Sequence, residues 1–188
     1  HREALAHLQY VLQGTRCIVL LTGDIVTGKT TSSRRFLART PAQCQVAYIF
    51  NPRLNVIELL RSICDEFGVA TASDADRDPT VKALIHPLNA FLLATHAAGR
   101  NPVLVIDEAQ NLGLREIEEL RMLSNFQLGS RALLQSFLVG QPELRKMLQS
   151  KSLEQLRQRV IASCHLGPLQ AEEVRPYVEH RLRHVGWD

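Results

Sequence analysis

Eight residues near the start of the chain decide the fold: Gly23-Asp24-Ile25-Val26-Thr27-Gly28-Lys29-Thr30. They match the phosphate-loop pattern, in which a glycine and four free positions precede Gly-Lys-Ser/Thr. Residues 17–22, just before them, form a short apolar run with β-branched members, which is typical of a buried strand. Residues 31–39, just after them, lack glycine and proline and indicate a helix. Strand, loop and helix together are the context that this pattern requires.

The chemistry of such a loop follows from its backbone. A helix that begins at a loop exposes unpaired N–H groups and the positive end of its dipole, and both attract phosphate oxygens. Gly28 lets the backbone approach closely, Lys29 is expected to contact the β- and γ-phosphates, and the Thr30 hydroxyl is expected to coordinate Mg²⁺. The alternative, a plain glycine-rich turn, is disfavoured by the flanking strand and helix. The expected nucleotide-binding residues are Gly23, Asp24, Ile25, Val26, Thr27, Gly28, Lys29, Thr30 and Thr31.

Strand and helix patterns alternate along the rest of the chain. Further strands are predicted at 46–50, 103–108, 135–140 and 160–166. Helices are predicted at 2–12, 55–67, 80–98, 114–126, 142–149, 153–159 and 171–184, with an exposed loop at 71–79. The helix at 114–126 is expected to turn Leu128 inward together with three residues of its own. This alternation predicts an α/β fold, a parallel five-stranded sheet flanked by helices.

Two acids follow the apolar residues of the third predicted strand. Asp107 at the strand end is expected to hold Mg²⁺ through water, and Glu108 is expected to polarise the water that attacks the γ-phosphate. The carboxyl ends of strands in an open α/β sheet bind ligands, so Gly23, Asp107 and the end of the fourth strand should converge. An acidic strand end facing solvent would be the default interpretation without the phosphate loop. Because a nucleotide switch does not need the second acid, the pair favours an ATPase.

Three other polar residues are candidates with open alternatives. Gln141 follows the fourth strand and either senses the γ-phosphate or caps a helix. Asn51 ends the second strand and either hydrogen-bonds Glu108, restraining it until a partner binds, or belongs to an Asn-Pro turn. Arg157 or Arg159, with Arg159 preferred, either completes a neighbouring subunit's site as an arginine finger or lies on a solvated basic face.

Composition sets broad limits on the function. The 188 residues are 45% hydrophobic and carry a net charge of +3, which is too small to indicate nucleic acid or lipid binding by itself. No apolar run approaches the roughly 20 residues of a membrane helix. The four cysteines lack metal-ligand spacing, and reduced thiols in a reducing compartment are expected. The chain begins without methionine and ends just after a helical pattern, so we expect it to be a fragment of a longer protein.

Several motifs together resemble the ExeA-like AAA+ ATPases, the family that includes general secretion pathway protein A and the exosortase-associated ATPases. The most specific are Asp-Glu-Ala-Gln-Asn-Leu at 107–112 and Val-Gly-Gln-Pro-Glu-Leu at 139–144. The phosphate loop, 120–126, 155–159 and 165–169 fit as well, so the resemblance covers almost the whole chain. Two features depart from the family: Val26 stands where glycine is usual, and the chain ends before a second sensor arginine can be placed.

The resemblance implies an AAA+ core at 1–168 and the first helix of a truncated helical lid at 169–188. It implies ATP and Mg²⁺ as cofactors, with Gln141 in the first sensor position and Asn51 as a switch on Glu108. It also implies a homo-oligomer that acts on secretion or polysaccharide-export machinery, with a membrane protein partner outside these residues. The expected location is the cytoplasm, with any membrane association through segments absent from this chain.

Two other functions compete with this one. A transposition-type AAA+ ATPase would bind DNA through a basic surface, but the chain has only four lysines and scattered arginines, which weighs against nucleic acid. A small-molecule kinase would use the same loop, but it rarely needs both Asp107 and Glu108 followed by Ala-Gln.

Overall fold

The computed structural model describes residues 18–23, 43–71, 79–129 and 131–167. The phosphate loop after Gly23 and the helices predicted at 2–12, 31–39 and 171–184 lie outside these ranges, as does most of the loop predicted at 71–79. None of the helices in the described part of the chain has the length and hydrophobicity needed to cross a membrane.

Five parallel strands form the central sheet. They are β1 (Ile18–Gly23), β2 (Cys44–Phe50), β3 (Asn101–Asp107), β4 (Gln135–Gly140) and β5 (Val160–Leu166). Their order across the sheet is β2-β3-β4-β1-β5, and each pair of neighbours runs parallel. β4 and β5 have the predicted bounds, whereas β2 and β3 each begin two residues earlier than predicted. The structure thus confirms the predicted α/β class and the five-stranded parallel sheet.

In the described part of the chain, five helices lie between β2 and β5. They are α1 (Val56–Phe67), α2 (Val81–Ala97), α3 (Leu114–Leu123), α4 (Pro142–Leu148) and α5 (Glu154–Arg157). Single 3-10 turns lie at Ala109–Asn111 and Lys151–Leu153. Pro87 lies inside α2, and Pro142 occupies the first turn of α4, where proline needs no hydrogen-bond partner. All five helices follow predicted helical patterns, although α3 and α5 are shorter than predicted.

Local sequence explains the bounds of α1. The Asn55 side chain accepts a hydrogen bond from the Glu58 backbone N–H, and the Glu58 carboxylate accepts one from the Asn55 N–H, which forms a capping box. Gly68 ends the helix in the left-handed conformation, with φ 69°, where a side chain would be strained.

Apolar residues pack in two clusters, and alternate strand residues contribute to each. The larger cluster joins Leu104, Ile106 and Leu138 to the buried residues of all five helices. The smaller cluster contains the alternate strand residues Val19, Leu21, Val103, Val105, Phe137 and Val139. Because β3 contributes fully buried residues to both clusters, its carboxyl end is anchored between them, as expected for a parallel strand buried on both faces.

The segment after α3 corrects one prediction. The helix ends at Leu123 rather than at 126, because the chain turns into a two-residue antiparallel pair, Gln127–Leu128 with Arg131–Ala132. The backbone N–H of Leu133 donates to the Phe126 carbonyl and stabilises this turn. Leu128 was predicted to face inward but is 54% exposed.

β2 is the outermost strand at one side of the described sheet. The Glu66 carboxylate of α1 accepts a hydrogen bond of 3.1 Å from the Tyr48 N–H of this strand. The Gln45 side chain donates to the Phe67 carbonyl at the end of the same helix. Side chains thus tie this edge of the sheet to α1.

Cys64 gives the fold a testable dependence on pH. Burial, with a smaller contribution from the Asp65 carboxylate, raises the pKa of this fully buried thiol from 9.0 to about 11. The folded chain therefore holds the thiol proton more tightly than the unfolded chain, and the stabilisation is complete below pH 9.0. As pH rises from 9.0 towards about 11, the unfolded thiol ionises first, and the free energy of unfolding should fall.

We expect urea titrations from about pH 8 to about pH 10 to show a steeper loss of stability in the wild type than in Cys64→Ala. The alanine variant starts from lower stability because it leaves a cavity, so the slopes are compared rather than the absolute values. Parallel slopes would mean that the thiol ionises equally well in both states.

Candidate active site

The ends of all five strands lie along the carboxyl edge of the sheet. Phe50 of β2 lies beside Asp107 of β3, and Thr22 of β1 lies beside Gly140 of β4. Gly23, at the end of β1, pairs with the end of β5. The structure therefore brings the first residue of the phosphate loop, Asp107 and the end of β4 to one edge, as the sequence predicted. The remaining predicted loop residues, Asp24 to Thr31, lie outside the described residues.

Asp107 is fully buried at the end of β3. Its Oδ2 accepts a hydrogen bond of 2.7 Å from the Tyr48 hydroxyl, and its Oδ1 accepts one of 3.0 Å from the Glu108 N–H. A carboxylate has about four lone-pair sites, so each oxygen can accept a further hydrogen bond, for example from a metal-bound water. Carboxylate oxygens are also the protein ligands that Mg²⁺ prefers. Asp107 thus fits the predicted role on chemical grounds.

Replacing Tyr48 by phenylalanine should reveal how strongly this carboxylate depends on the hydroxyl. The substitution removes a hydrogen bond to a buried carboxylate oxygen, so the free energy of unfolding should fall by about 1–3 kcal/mol. Urea denaturation at neutral pH measures the loss. In an Asp107→Ala background the same substitution should have a much smaller effect, because the acceptor is gone. An equal loss in both backgrounds would show that the hydroxyl does not act through Asp107.

Glu108 follows the strand in an unusual backbone conformation. It was predicted as the last strand residue, but β3 ends at Asp107, and Glu108 has φ 57° and ψ 39° in the left-handed region. This conformation costs non-glycine residues roughly 1–3 kcal/mol and clusters at functional sites. The Glu108 Oε2 accepts hydrogen bonds from the side-chain amides of Gln110, at 2.5 Å, and Gln141, at 3.3 Å. Thus Gln141, the predicted sensor, contacts the predicted base.

The predicted hydrogen bond between the Asn51 side chain and Glu108 is not formed. Asn51 also has a positive φ, of 50°, and its N–H donates to the Asp107 carbonyl over 3.1 Å. Its side-chain Oδ1, however, accepts a 2.7 Å hydrogen bond from Asn111. The amides of Gln110 and Gln141 occupy the position beside the Glu108 carboxylate that Asn51 was expected to fill.

The two candidate arginines have different surroundings. The half-buried Arg159 donates from Nη1 to the Ser124 carbonyl at the end of α3, over 3.3 Å. Arg157 is exposed and lies 3.9 Å from the Glu154 carboxylate, a weak surface contact. Arg159, the arginine preferred as a finger, is therefore hydrogen-bonded within its own chain. Arg157 is the more exposed of the two.

Sequence reasoning assigned no role to Tyr48 or Gln110. Tyr48 lies in the middle of β2, where an aromatic residue is an ordinary strand former. Gln110 belongs to the quoted Asp-Glu-Ala-Gln-Asn-Leu motif, so a signal was present: a polar side chain two residues after the base. Its contact with Glu108 depends on the left-handed backbone at residue 108, which the sequence pattern does not reveal.

Comparison with known families agrees with this geometry. A family model described as AAA domain matches residues 12–148, which is most of the chain and includes the phosphate loop and the Asp107–Glu108 pair. The chain belongs to this AAA domain family. General secretion pathway protein A of Aeromonas hydrophila is 46% identical over 186 residues, or 99% of the chain. This similarity confirms the predicted resemblance. The chain spans 33% of that relative, about a third of its length.

Solved structures with the same fold include two archaeal proteins. Cdc6p of Pyrobaculum aerophilum aligns over 97% of this chain and 49% of its own, with a TM-score of 0.75 and 16% identity. The ORC1 protein of Aeropyrum pernix, solved in complex with DNA, aligns over 98% and 50%, with a TM-score of 0.70 and 19% identity. At these identities the likeness shows the P-loop NTPase fold alone.

Proposed function

We propose that this AAA domain binds ATP with Mg²⁺ and hydrolyses it, and that hydrolysis drives assembly or remodelling of a secretion or polysaccharide-export machinery. The observation that supports hydrolysis is the placement of Glu108. This residue follows the buried Asp107 in a left-handed conformation, and its carboxylate accepts a hydrogen bond from Gln141. The relation to general secretion pathway protein A supports the second part.

The proposed roles follow from residue chemistry. The backbone of residues 23–31 and the Lys29 side chain bind the phosphates, and the Thr30 hydroxyl and Asp107 hold Mg²⁺. When bound, Mg²⁺ neutralises charge on the β- and γ-phosphate oxygens. Glu108 accepts a proton from the attacking water, and an amide of the Gln141 side chain orients that water or the γ-phosphate.

Assembly completes the proposal. We infer a homo-oligomer in which an arginine from a neighbouring subunit stabilises transition-state charge. Arg159 keeps this role if its contact with Ser124 opens, and Arg157 is the more exposed candidate.

We further propose that residues 1–168 form the nucleotide-binding core and 169–188 the start of a helical lid. Asn51 remains a proposed switch, through its Asn111 contact rather than through Glu108 itself. The relative's secretion function supports a membrane protein partner outside these residues.

The experiment that tests the proposal is ATP turnover by this chain, measured with and without duplex DNA at two salt concentrations. We expect phosphate release that depends on Mg²⁺ and is unchanged by DNA. Stimulation by DNA that fades as salt rises would instead support a DNA-binding ATPase, because phosphate contacts release counterions. ATP binding without any phosphate release would contradict hydrolysis.

A further inference from the structure

The side chain of Gln110 lies between the two residues proposed to act on water. Its amide is in contact with Glu108 on one side and with the backbone of Gln141 on the other. The Gln141 N–H can only donate, so the group 3.0 Å from it must be the Gln110 oxygen Oε1. The Gln110 nitrogen Nε2 therefore faces the Glu108 carboxylate, which can accept. The contacts alone fix the orientation of this amide.

The end of β4 is shaped to receive this amide. A Cβ atom built on Gly140 would lie 2.6 Å from the Gln110 Oε1 and 2.9 Å from a methyl carbon of Leu144. Both separations are shorter than van der Waals contact, so any larger residue at position 140 would displace the Gln110 side chain or Leu144. The absence of a side chain at position 140 thus allows Gln110 to reach the Gln141 backbone.

Both amide donors converge on one oxygen of Glu108. Nε2 of Gln110 and Nε2 of Gln141 each donate to Oε2. Among the described residues, no hydrogen bond is donated to the other oxygen, Oε1. In the proposed mechanism this oxygen accepts from the attacking water. A carboxylate held through one oxygen has a fixed direction for its second, which is the requirement for a positioned base.

We propose that Gln110 is a positioning residue for Glu108. Its side-chain amide holds Oε2 of the carboxylate and links it to the backbone at the end of β4, so that the base and Gln141 keep one relative geometry. This inference rests on the proposed ATP hydrolysis and adds a residue to which no role was assigned from the sequence. In this proposal Gln110 acts through Glu108 and is not itself a catalytic residue.

The test is Gln110→Met in the full chain, because methionine keeps the length of the side chain and removes both hydrogen bonds. Steady-state kinetics should show kcat for ATP reduced by about 10–100-fold, since a misplaced catalytic group costs up to that much. KM and the Kd for ATP should stay within about twofold of wild type, because no contact to nucleotide is removed. Gln149→Met, the same substitution at the exposed C-terminal end of α4, should match wild type in both parameters.

A double-mutant cycle separates positioning from general damage. If Gln110 and Gln141 act through the one carboxylate, Gln110→Met combined with Gln141→Met should lower kcat by clearly less than the product of the single effects. Multiplicative effects would overturn the shared action through Glu108. Wild-type kcat in Gln110→Met would overturn the inference and leave the proposed function intact. A wild-type chain that binds ATP but releases no phosphate would overturn the proposed function, and the inference with it.

Discussion

Glu108→Gln is expected to lower kcat for ATP hydrolysis by about 10²–10⁴-fold, the usual contribution of a general base. Glutamine has nearly the same shape, and its oxygen can still accept the hydrogen bonds that Gln110 and Gln141 donate to Oε2. What the amide lacks is the ability to take a proton from water. The fold of the strand end and the nucleotide contacts should therefore survive while the chemical step is lost.

Two measurements on the same protein separate these effects. Phosphate release reports kcat, and displacement of a fluorescent nucleotide reports the Kd for ATP, which should stay within about threefold of wild type because uniform binding is untouched. Glu143→Gln is the matched control, since Glu143 is an exposed carboxylate in the first turn of α4. It should turn over ATP like the wild type. Wild-type turnover by Glu108→Gln would place the base elsewhere.

Leu92→Ala should produce a large loss of stability without touching the site. Leu92 is fully buried in the larger cluster, where α2 packs on the sheet, and its neighbour Phe91 contacts Phe67 of α1 with ring centroids 5.2 Å apart. Truncating a buried leucine removes its transfer free energy and leaves a cavity, which together cost about 2–5 kcal/mol. Urea denaturation at neutral pH should show this as a lower midpoint with an unchanged m-value.

The adjacent residue supplies the control. Leu93 lies on the same helix but is 40% exposed. Leu93→Ala changes helix propensity by the same amount as Leu92→Ala, so the difference between them isolates burial. We expect Leu93→Ala to cost less than about 1 kcal/mol, as partly exposed sites do. Equal losses would mean that α2 is not oriented with Leu92 towards the sheet.

The sequence predicted most accurately the strands and helices whose apolar residues form an unbroken run or an unbroken helical face. β4 was placed with correct bounds because its apolar run lies between polar residues and ends at a glycine. α1 was predicted to within one residue because its apolar residues have helical spacing and Gly68 marks its end. The prediction that Leu128 faces inward was wrong, because its spacing fits a continued helical face whereas the helix ends at Leu123. Spacing alone does not show where a helix stops when no glycine or proline marks the end.

The site was predicted less completely than the fold, for a physical reason. The convergence of Gly23, Asp107 and the end of β4 was predicted, because parallel strands end at a common edge. The hydrogen bond between Gln141 and Glu108 was not predicted. The contact of Gln110 with Glu108, and the contact of Asn51 with Asn111 in place of the expected one, occur where residues 51 and 108 have positive φ. Neither asparagine nor glutamate requires that conformation, so only the surrounding structure imposes it.

The hydrogen bond from the Tyr48 N–H to the Glu66 carboxylate bears on how copies of this chain can associate. An outer strand offers backbone groups on which a strand of another molecule can add and lengthen the sheet. Here a charged side chain already occupies one of those groups, so an incoming strand would have to displace a carboxylate and bring its own backbone against that charge. In the proposed homo-oligomer, extension of the described sheet at β2 is therefore disfavoured.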